Sequence, residues 1–129
     1  MNFELVKFNF EDLEVWKKSV EFANAVINLI DRNIAVRKHF RLVEQLEAAV
    51  ISPALNIAEG KGRQSKKEFI QFLYISEGSL FEVLTLTELF KRNELITLAE
   101  AQMIRSKAEI IDRKLHGLIN SLKQRAYSK

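Results

Sequence analysis

The 129-residue sequence contains no cysteine, one proline and four glycines. The absence of cysteine excludes disulfides and thiolate metal sites, and it suits a reducing cytoplasm. Sheet-rich domains need turn residues at short intervals, which so few glycines and prolines cannot supply. No stretch approaches the ~20 apolar residues of a membrane span, and no apolar run of signal-peptide length opens the chain. We therefore expect an all-α cytoplasmic protein that does not contact a membrane.

Helical periodicity is the strongest positive feature. Apolar residues recur at alternating spacings of three and four in four segments, near residues 11–31, 38–59, 66–91 and 98–123. Capping boxes at Ser65–Glu68 and Thr97–Glu100 mark the starts of the third and fourth helices. The pattern predicts an antiparallel up-down-up-down four-helix bundle that forms one domain over residues 1–129. An apolar arm over residues 1–10 should lie across the bundle or a neighbouring subunit, and residues 124–129 should fray.

The sequence also predicts the packing of individual residues. The first helix carries Trp16 on an apparent core stripe, which is Leu13, Trp16, Val20, Ala23, Ile27 and Ile30. Gly60 and Gly62 should end the second helix in the left-handed conformation. Gly78, in the middle of the third helix, indicates a close passage of another helix.

Asn56 and Glu59 are polar residues near the end of an otherwise apolar second helix. We expect both side chains to bond to neighbouring backbone and to hold the turn into helix three. The alternative is that they form part of a ligand site.

Helices two and three are apolar around more than one face. The additional apolar residues are Val43, Ile51, Ala54 and Leu55 in helix two, and Ile70, Tyr74, Ile75, Phe81, Leu86 and Leu89 in helix three. A helix of this kind is buried on more than one side, whereas a four-helix monomer has only one interior. The pattern therefore predicts a partner surface, most simply another copy of the chain.

No catalytic, cofactor or metal site emerges from the sequence. The two histidines are His39 and His116, and the Glu-x-x-His motif of di-iron bundles is absent because Val36 and Arg113 stand three residues before them. The serines lie at caps or on helix faces without an activating base nearby. We expect a protein that binds without catalysing a reaction and that needs no cofactor.

Basic residues are concentrated towards the C-terminus. Residues 91–129 hold nine Lys and Arg against four Asp and Glu, although the whole chain has a net charge of only +3. A second basic group lies at the connection between helices two and three. The candidate nucleic-acid contacts are Lys61, Arg63, Lys66, Lys67, Arg113, Lys114, Lys123 and Arg125. Clustered cations suit a polyanion such as RNA or DNA, but a merely solvated helix face has the same composition.

Several motifs in residues 10–90 occur together. They are Phe10-Glu11-Asp12-Leu13-Glu14-Val15-Trp16-Lys17, Gln45-Leu46, Asn56-Ile57-Ala58-Glu59-Gly60, Gly62-Arg63, Ser65 through Leu73, and Gly78-Ser79-Leu80 with Glu82. With these motifs the chain resembles the four-helix-bundle proteins encoded by intervening sequences of bacterial 23S ribosomal RNA genes. The resemblance implies an up-down-up-down bundle that assembles as a homopentamer. It extends in fold to the accessory variability determinant of diversity-generating retroelements, which binds nucleic acid and a reverse transcriptase.

The chain departs from this family at the two positions after Gln45-Leu46. Family members commonly carry two arginines there, whereas this sequence has Glu47 and Ala48, and its proline is displaced by one position to Pro53. Any nucleic-acid contact made by those arginines is missing here. Two functions therefore stay open: an oligomer that binds RNA or the ribosome through basic patches, and a scaffold for protein partners.

Overall fold

The computed structural model describes residues 5–33 and 36–127, with the backbone alone for residues 36, 37 and 125–127. The helices are α1 (Glu14–Asp31), α2 (Phe40–Lys61), α3 (Lys66–Arg92) and α4 (Leu98–Tyr127), with 3₁₀ turns at Asn9–Asp12 and Val36–His39. The described part of the chain contains no strand. These elements confirm the predicted all-α class and the four helices.

The helix ends differ from the prediction at the two termini of the chain. α1 begins at Glu14 instead of residue 11, because Leu13 is extended (φ −71°, ψ 123°) and separates α1 from the 3₁₀ turn at Asn9–Asp12. α4 continues as helix to Tyr127, which is four residues into the segment predicted to fray.

The helices form an antiparallel ring in which each packs against two neighbours: α1 with α2, α2 with α3, α3 with α4, and α4 with α1. Side-chain contacts give the directions. Ser79 meets Ser52, whereas Ser76, earlier in α3, meets Pro53, later in α2. The end of α2 and the start of α3 therefore lie at one end of the bundle.

Glu14 at the start of α1 contacts Lys114 in the second half of α4, and Asn33 just after α1 donates to the Leu95 carbonyl just before α4, so α1 and α4 are also antiparallel. The connections between successive helices then place the start of α1 and the end of α4 at the same end of the bundle.

All four helices contribute to a single apolar core. Its largest side chains with under 2% exposure are Phe22, Val26, Leu46, Ile57, Leu73, Leu80, Phe90, Ile104, Ile111, Leu115 and Ile119. On α4, Ile111 and Leu115 recur at the spacing of a core stripe, and each is at most 1% exposed. Burial of such side chains supplies the main driving force for folding.

The predicted core stripe of α1 is confirmed at Ala23 and Ile30 and wrong at Val20, while Leu13, Trp16 and Ile27 pack against the edge of the core. Val20 is 40% exposed and Trp16 is only partly buried. The buried stripe is Val15, Ser19, Phe22, Ala23, Val26, Leu29 and Ile30. A hydroxyl is tolerated inside this stripe because Ser19 Oγ donates to the carbonyl of Val15 (2.8 Å). The sequence pattern favoured Trp16 over this serine because it counted apolar residues only.

The glycines have other roles than those predicted. Gly60 and Gly62 both have negative φ, so neither ends α2 in the left-handed conformation. Gly60 is instead required by close packing, since a Cβ there would lie 2.6 Å from Phe72 Cβ and 2.9 Å from Phe69 Cδ1. Gly78 is exposed, and a Cβ there would meet nothing within 4 Å. None of the four described helices passes close to it, contrary to the prediction.

Both predicted N-cap bonds are present, but of the two predicted capping boxes only the one at the start of α4 is reciprocal. Ser65 Oγ accepts from the Glu68 amide (3.1 Å) at the start of α3. At the start of α4 the capping box is reciprocal: Thr97 Oγ1 accepts from the Glu100 amide (3.1 Å), and Glu100 Oε1 accepts from the Thr97 amide (2.8 Å). These bonds satisfy amides that have no partner within the helix.

The N-terminal arm is mostly uncovered by its own bundle. Leu5 is 89% exposed and Phe8 is 63% exposed, whereas Phe10 packs edge-on against Trp16 with ring centroids 5.2 Å apart. The predicted arm residue Phe3 lies outside the described residues.

α3 is long and apolar enough to cross a membrane by length and composition alone, contrary to the expectation that no such stretch exists. It is weak evidence for a span, because a core helix of a soluble bundle passes the same test, and α3 contributes Leu73, Leu80 and Phe90 to the core.

Candidate nucleic-acid interface

The fold gathers most of the candidate basic residues at one end of the bundle. Lys61, Arg63, Lys66 and Lys67 belong to the α2–α3 connection. Lys123, near the end of α4, lies towards the same end, with its ammonium 5.5 Å from the centroid of the Tyr74 ring, which is about 12 Å along α3 from Lys66. We call these five residues the basic end. Arg125 follows two residues later on the α4 backbone, and its side chain lies outside the described residues.

The α2–α3 connection is short and tightly packed. Gly60 lets α2 approach Phe69 and Phe72 of α3, and Ser65 then caps α3. Lys61 lies over the Phe69 ring (5.8 Å to the centroid), and the Arg63 guanidinium lies over the Phe72 ring (4.7 Å). The two aromatic rings therefore position two cations at the basic end.

Lys66 and Lys67 occupy the first turn of α3, and both are exposed. The N-terminus of a helix carries partial positive charge, so cations there oppose the helix dipole at about 0.3–1 kcal/mol each. The stability of α3 therefore does not explain why two lysines occur in its first turn. Glu68, in the same turn, has the sign that the dipole favours.

The remaining candidates on α4 lie away from the basic end. Arg113 is exposed, and Lys114 Nζ is 3.8 Å from a carboxylate oxygen of Glu14 at the start of α1. Ten residues separate Arg113 from Lys123, which corresponds to about 15 Å along the helix. The structure thus brings together the connection and the end of α4, and it leaves Arg113 and Lys114 on the side of the bundle.

Another group of basic residues, separate from the basic end, lies at the opposite end of the bundle. Lys38, His39 and Arg41 are exposed where α2 begins. This group and the basic end are separated by the length of α2, which is about 30 Å. They do not converge on one surface of a single chain.

Comparison with known proteins identifies the family. A family model described as "23S rRNA-intervening sequence protein" matches residues 11–117. The chain belongs to the 23S rRNA-intervening sequence protein family. A solved structure from Bacteroides thetaiotaomicron, described as a protein with unknown function from the S23 ribosomal protein family, is similar, with 30% sequence identity and a TM-score of 0.76. The similarity covers 81% of this chain and 97% of that one. The comparison with curated proteins found no match.

Glu47 and Ala48 stand where this member of the intervening-sequence family lacks the expected arginines. Both positions are distant from the basic end. Glu47 is partly buried and Ala48 is exposed, both in the first half of α2. Glu47 precedes Lys61 by fourteen residues, or about 20 Å along the helix. Their replacement therefore removes no charge from the basic end.

The family string Asn56-Ile57-Ala58-Glu59-Gly60 forms part of the α2–α3 seam. Asn56 Nδ2 donates to the Ser52 carbonyl and to Ser52 Oγ (2.9 Å each), and Ser52 Oγ is 2.7 Å from Ser79 Oγ on α3. Asn56 thus braces the seam one turn before the connection. Glu59 is exposed, and its carboxylate lies 3.8 Å from the Arg63 guanidinium, so it spans the turn through an ion pair instead of a backbone bond.

A cluster that the sequence analysis did not predict lies between α3 and α4. Glu77, Asp112 and His116 each place one potential ligand atom within 4.8 Å of the others. His116 Nε2 contacts the Glu77 carboxylate directly and lies 3.8 Å from Asp112 Oδ1. The expectation that the sequence holds no metal site considered only the position three residues before each histidine, whereas Asp112 stands four residues before His116. The third member comes from α3 and could be found only through the fold.

Burial has the largest effect on the carboxyl group of Glu77. Only 13% of the Glu77 side chain is exposed. Desolvation, followed by the adjacent Asp112 carboxylate, raises the pKa of Glu77 above its ordinary value of 4.5, and His116 opposes the shift. Asp112 Oδ1 is buried and has no hydrogen-bond partner among the described residues.

Proposed function

We propose that the chain is a non-enzymatic, oligomeric binding protein of the cytoplasm that contacts RNA phosphates through its basic end. The observation that supports this proposal is the convergence of Lys61, Arg63, Lys66, Lys67 and Lys123 at one end of the bundle. Clustered lysines and arginines suffice for phosphate contacts, which are salt-sensitive and carry little sequence information. The family's name connects it with ribosomal RNA genes and gives a reason to test RNA first.

Their placement supports this role for the lysines of α3. Lys66 and Lys67 oppose the helix dipole, and a bound phosphate would reverse that penalty, because helix N-termini favour anions. Aromatic stacking of bases contributes little in this proposal, since Phe69 is buried and Phe72 is covered by Arg63.

We further propose that the protein is a homo-oligomer, with the pentamer implied by the family resemblance as the specific expectation. The interface would be the outer face of α2 and α3, which we define as Ile51, Leu55, Ile75, Phe81 and Leu89. These side chains are between 41% and 57% exposed. Gly78 lies on the same side of α3, where its missing side chain would let a second copy approach closely.

The accessible area of the chain supports assembly as well. It measures 8566 Å², whereas a folded monomer of 15.0 kDa is expected to expose roughly 7,000 Å². The described arm residues Leu5 and Phe8 contribute to this area, since they are 89% and 63% exposed. Association would cover part of this apolar surface, and a ring of copies would repeat the basic end, so that one RNA could engage several subunits.

Light scattering tests the assembly. The wild-type protein should have a mass several times 15.0 kDa. The double variant Leu55→Glu/Ile75→Glu should shift it towards a single chain, because it places charges in the apolar interface. Ile110→Glu is the matched control, since Ile110 is 42% exposed but lies between α1 and α4. A wild-type mass of 15 kDa at micromolar concentration would refute the proposal.

The outer face also favours a second candidate function, a scaffold whose partner is a different protein. Purification from native cells followed by RNA sequencing and protein mass spectrometry separates the two. Enrichment of particular RNAs over a mock purification supports the proposed function. A stoichiometric protein partner without enriched RNA, lost in Leu55→Glu/Ile75→Glu, supports the scaffold.

A further inference from the structure

We propose that Glu77, Asp112 and His116 form a binding site for one divalent transition-metal ion, best matched by Zn²⁺, which links α3 to α4. The site lies on the side of the bundle and is separate from the basic end. It does not depend on RNA binding or on the oligomeric state.

The fold provides the ligand set from two helices. Asp112 and His116 are one turn apart on α4 and therefore project from the same side of that helix. Glu77 projects from α3 across the α3–α4 seam, and the three ligand atoms lie within 4.8 Å of one another. An ion between them would be held by one imidazole nitrogen and two carboxylate oxygens.

The burial of the two carboxylates, and the lack of a hydrogen-bond donor to one of them, indicate that a cation would be stable between them. Asp112 Oδ1 is buried without a hydrogen-bond donor among the described residues, and the adjacent Glu77 side chain is 13% exposed. Leaving a buried acceptor unsatisfied is unfavourable, and facing carboxylates repel each other when both are ionised. One divalent ion between them would offset the charges of both carboxylates and give Asp112 Oδ1 a partner.

The ligand types favour zinc over the alkaline-earth ions. Mg²⁺ and Ca²⁺ prefer six or more oxygen ligands, whereas an imidazole with carboxylates suits Zn²⁺. His116 is 50% exposed, so water can fill the remaining coordination positions. His116 Nε2 and the Glu77 carboxylate are closer than two ligands of one zinc ion, which lie about 3 Å apart when each bond is ~2.0–2.1 Å. The half-exposed imidazole has room to move outwards on binding.

The test uses the full chain after treatment with a chelator. Zn²⁺ titration followed by calorimetry should give one ion per chain, and Co²⁺ should develop the visible absorption of a protein-bound ion. Glu77→Gln, Asp112→Asn and His116→Gln should each weaken Zn²⁺ affinity at least about tenfold, because each removes one of three ligands. Circular dichroism confirms that each variant is folded.

Two matched controls exclude adventitious binding at the surface. Glu82→Gln changes an exposed carboxylate on α3, and His39→Gln removes the other histidine. Both should bind Zn²⁺ as the wild type does. The proposal is overturned if the wild type does not bind Zn²⁺ below millimolar concentration. It is also overturned if His39→Gln lowers the affinity while His116→Gln does not, or if the three cluster variants bind as tightly as the controls.

Discussion

Replacement of Gly60 by alanine should destabilise the bundle, although alanine is the better helix former. The added Cβ would lie 2.6 Å from Phe72 Cβ, an atom fixed to the α3 backbone, so the two helices must move apart. Overpacking of this kind costs about 1–3 kcal/mol, against a gain in helix propensity of about 0.5–1 kcal/mol. We expect a net loss of up to about 2.5 kcal/mol in the free energy of unfolding.

Gly117→Ala provides the matched control for this prediction. Gly117 is also inside a helix, but its Cβ would meet nothing within 4 Å, so only the propensity gain should remain. The two variants should therefore differ by about 1–3 kcal/mol in urea unfolding followed by circular dichroism. One protein concentration must be used throughout, because the stability of an oligomer depends on it. Equal stability of the two variants would refute the close approach of α2 and α3 at Gly60.

Three further predictions concern single side chains. Trp16→Ala should lower the free energy of unfolding by roughly 1–3 kcal/mol, less than the ~3–5 kcal/mol for a fully buried tryptophan, and an unchanged urea midpoint would contradict its packing. Thr97→Ala should cost about 1 kcal/mol by removing the α4 cap, while Thr97→Ser should retain most of the stability. Hydrogen bonds from Arg92 and Lys91 lower the pKa of Glu88. The pairing therefore stabilises the fold fully at pH values above the ordinary carboxyl pKa, and this stabilisation is lost as the pH falls through the lowered pKa. An NMR titration of Glu88 with a midpoint at or above 4.5 would contradict this.

Elements of the fold that depend on local sequence could be predicted closely. The Ser65 and Thr97 caps specify where α3 and α4 begin, because the capping bonds form within four residues. The core face of α4 could be read from the spacing of Ile104, Ile111 and Leu115, which no competing stripe interrupts.

Features that depend on neighbouring helices could not be predicted from one helix at a time. On α1, Ser19 enters the core because its hydroxyl bonds within the helix, which displaces Val20 to the surface. The need for glycine at position 60 comes from Phe72 on another helix, and the same reasoning misplaced a close contact at Gly78.

The candidate sites likewise have one part that local sequence predicts and another that depends on the packing of the helices. The local pattern of lysines and arginines indicated the α2–α3 connection, but only the antiparallel topology places Lys123 at that end and leaves Arg113 apart. The Asp112–His116 pair was present in the sequence at a spacing of four, yet its significance depends on Glu77, which is 35 residues away in the chain and adjacent in the fold.

RNA binding by the basic end is tested most directly by a filter-binding titration of structured RNA at about 50 mM and about 200 mM salt. The variant Lys66→Glu/Lys67→Glu reverses two charges in the first turn of α3, where acids suit the helix dipole and should not harm the fold. Lys38→Glu/Arg41→Glu makes the same change in charge at the opposite end of the bundle. We predict salt-sensitive binding by the wild type, at least about tenfold weaker binding with a flatter salt dependence for the first variant, and near wild-type binding for the second. Equal losses in both variants, or no retention of RNA at low salt by the intact oligomer, would contradict the account.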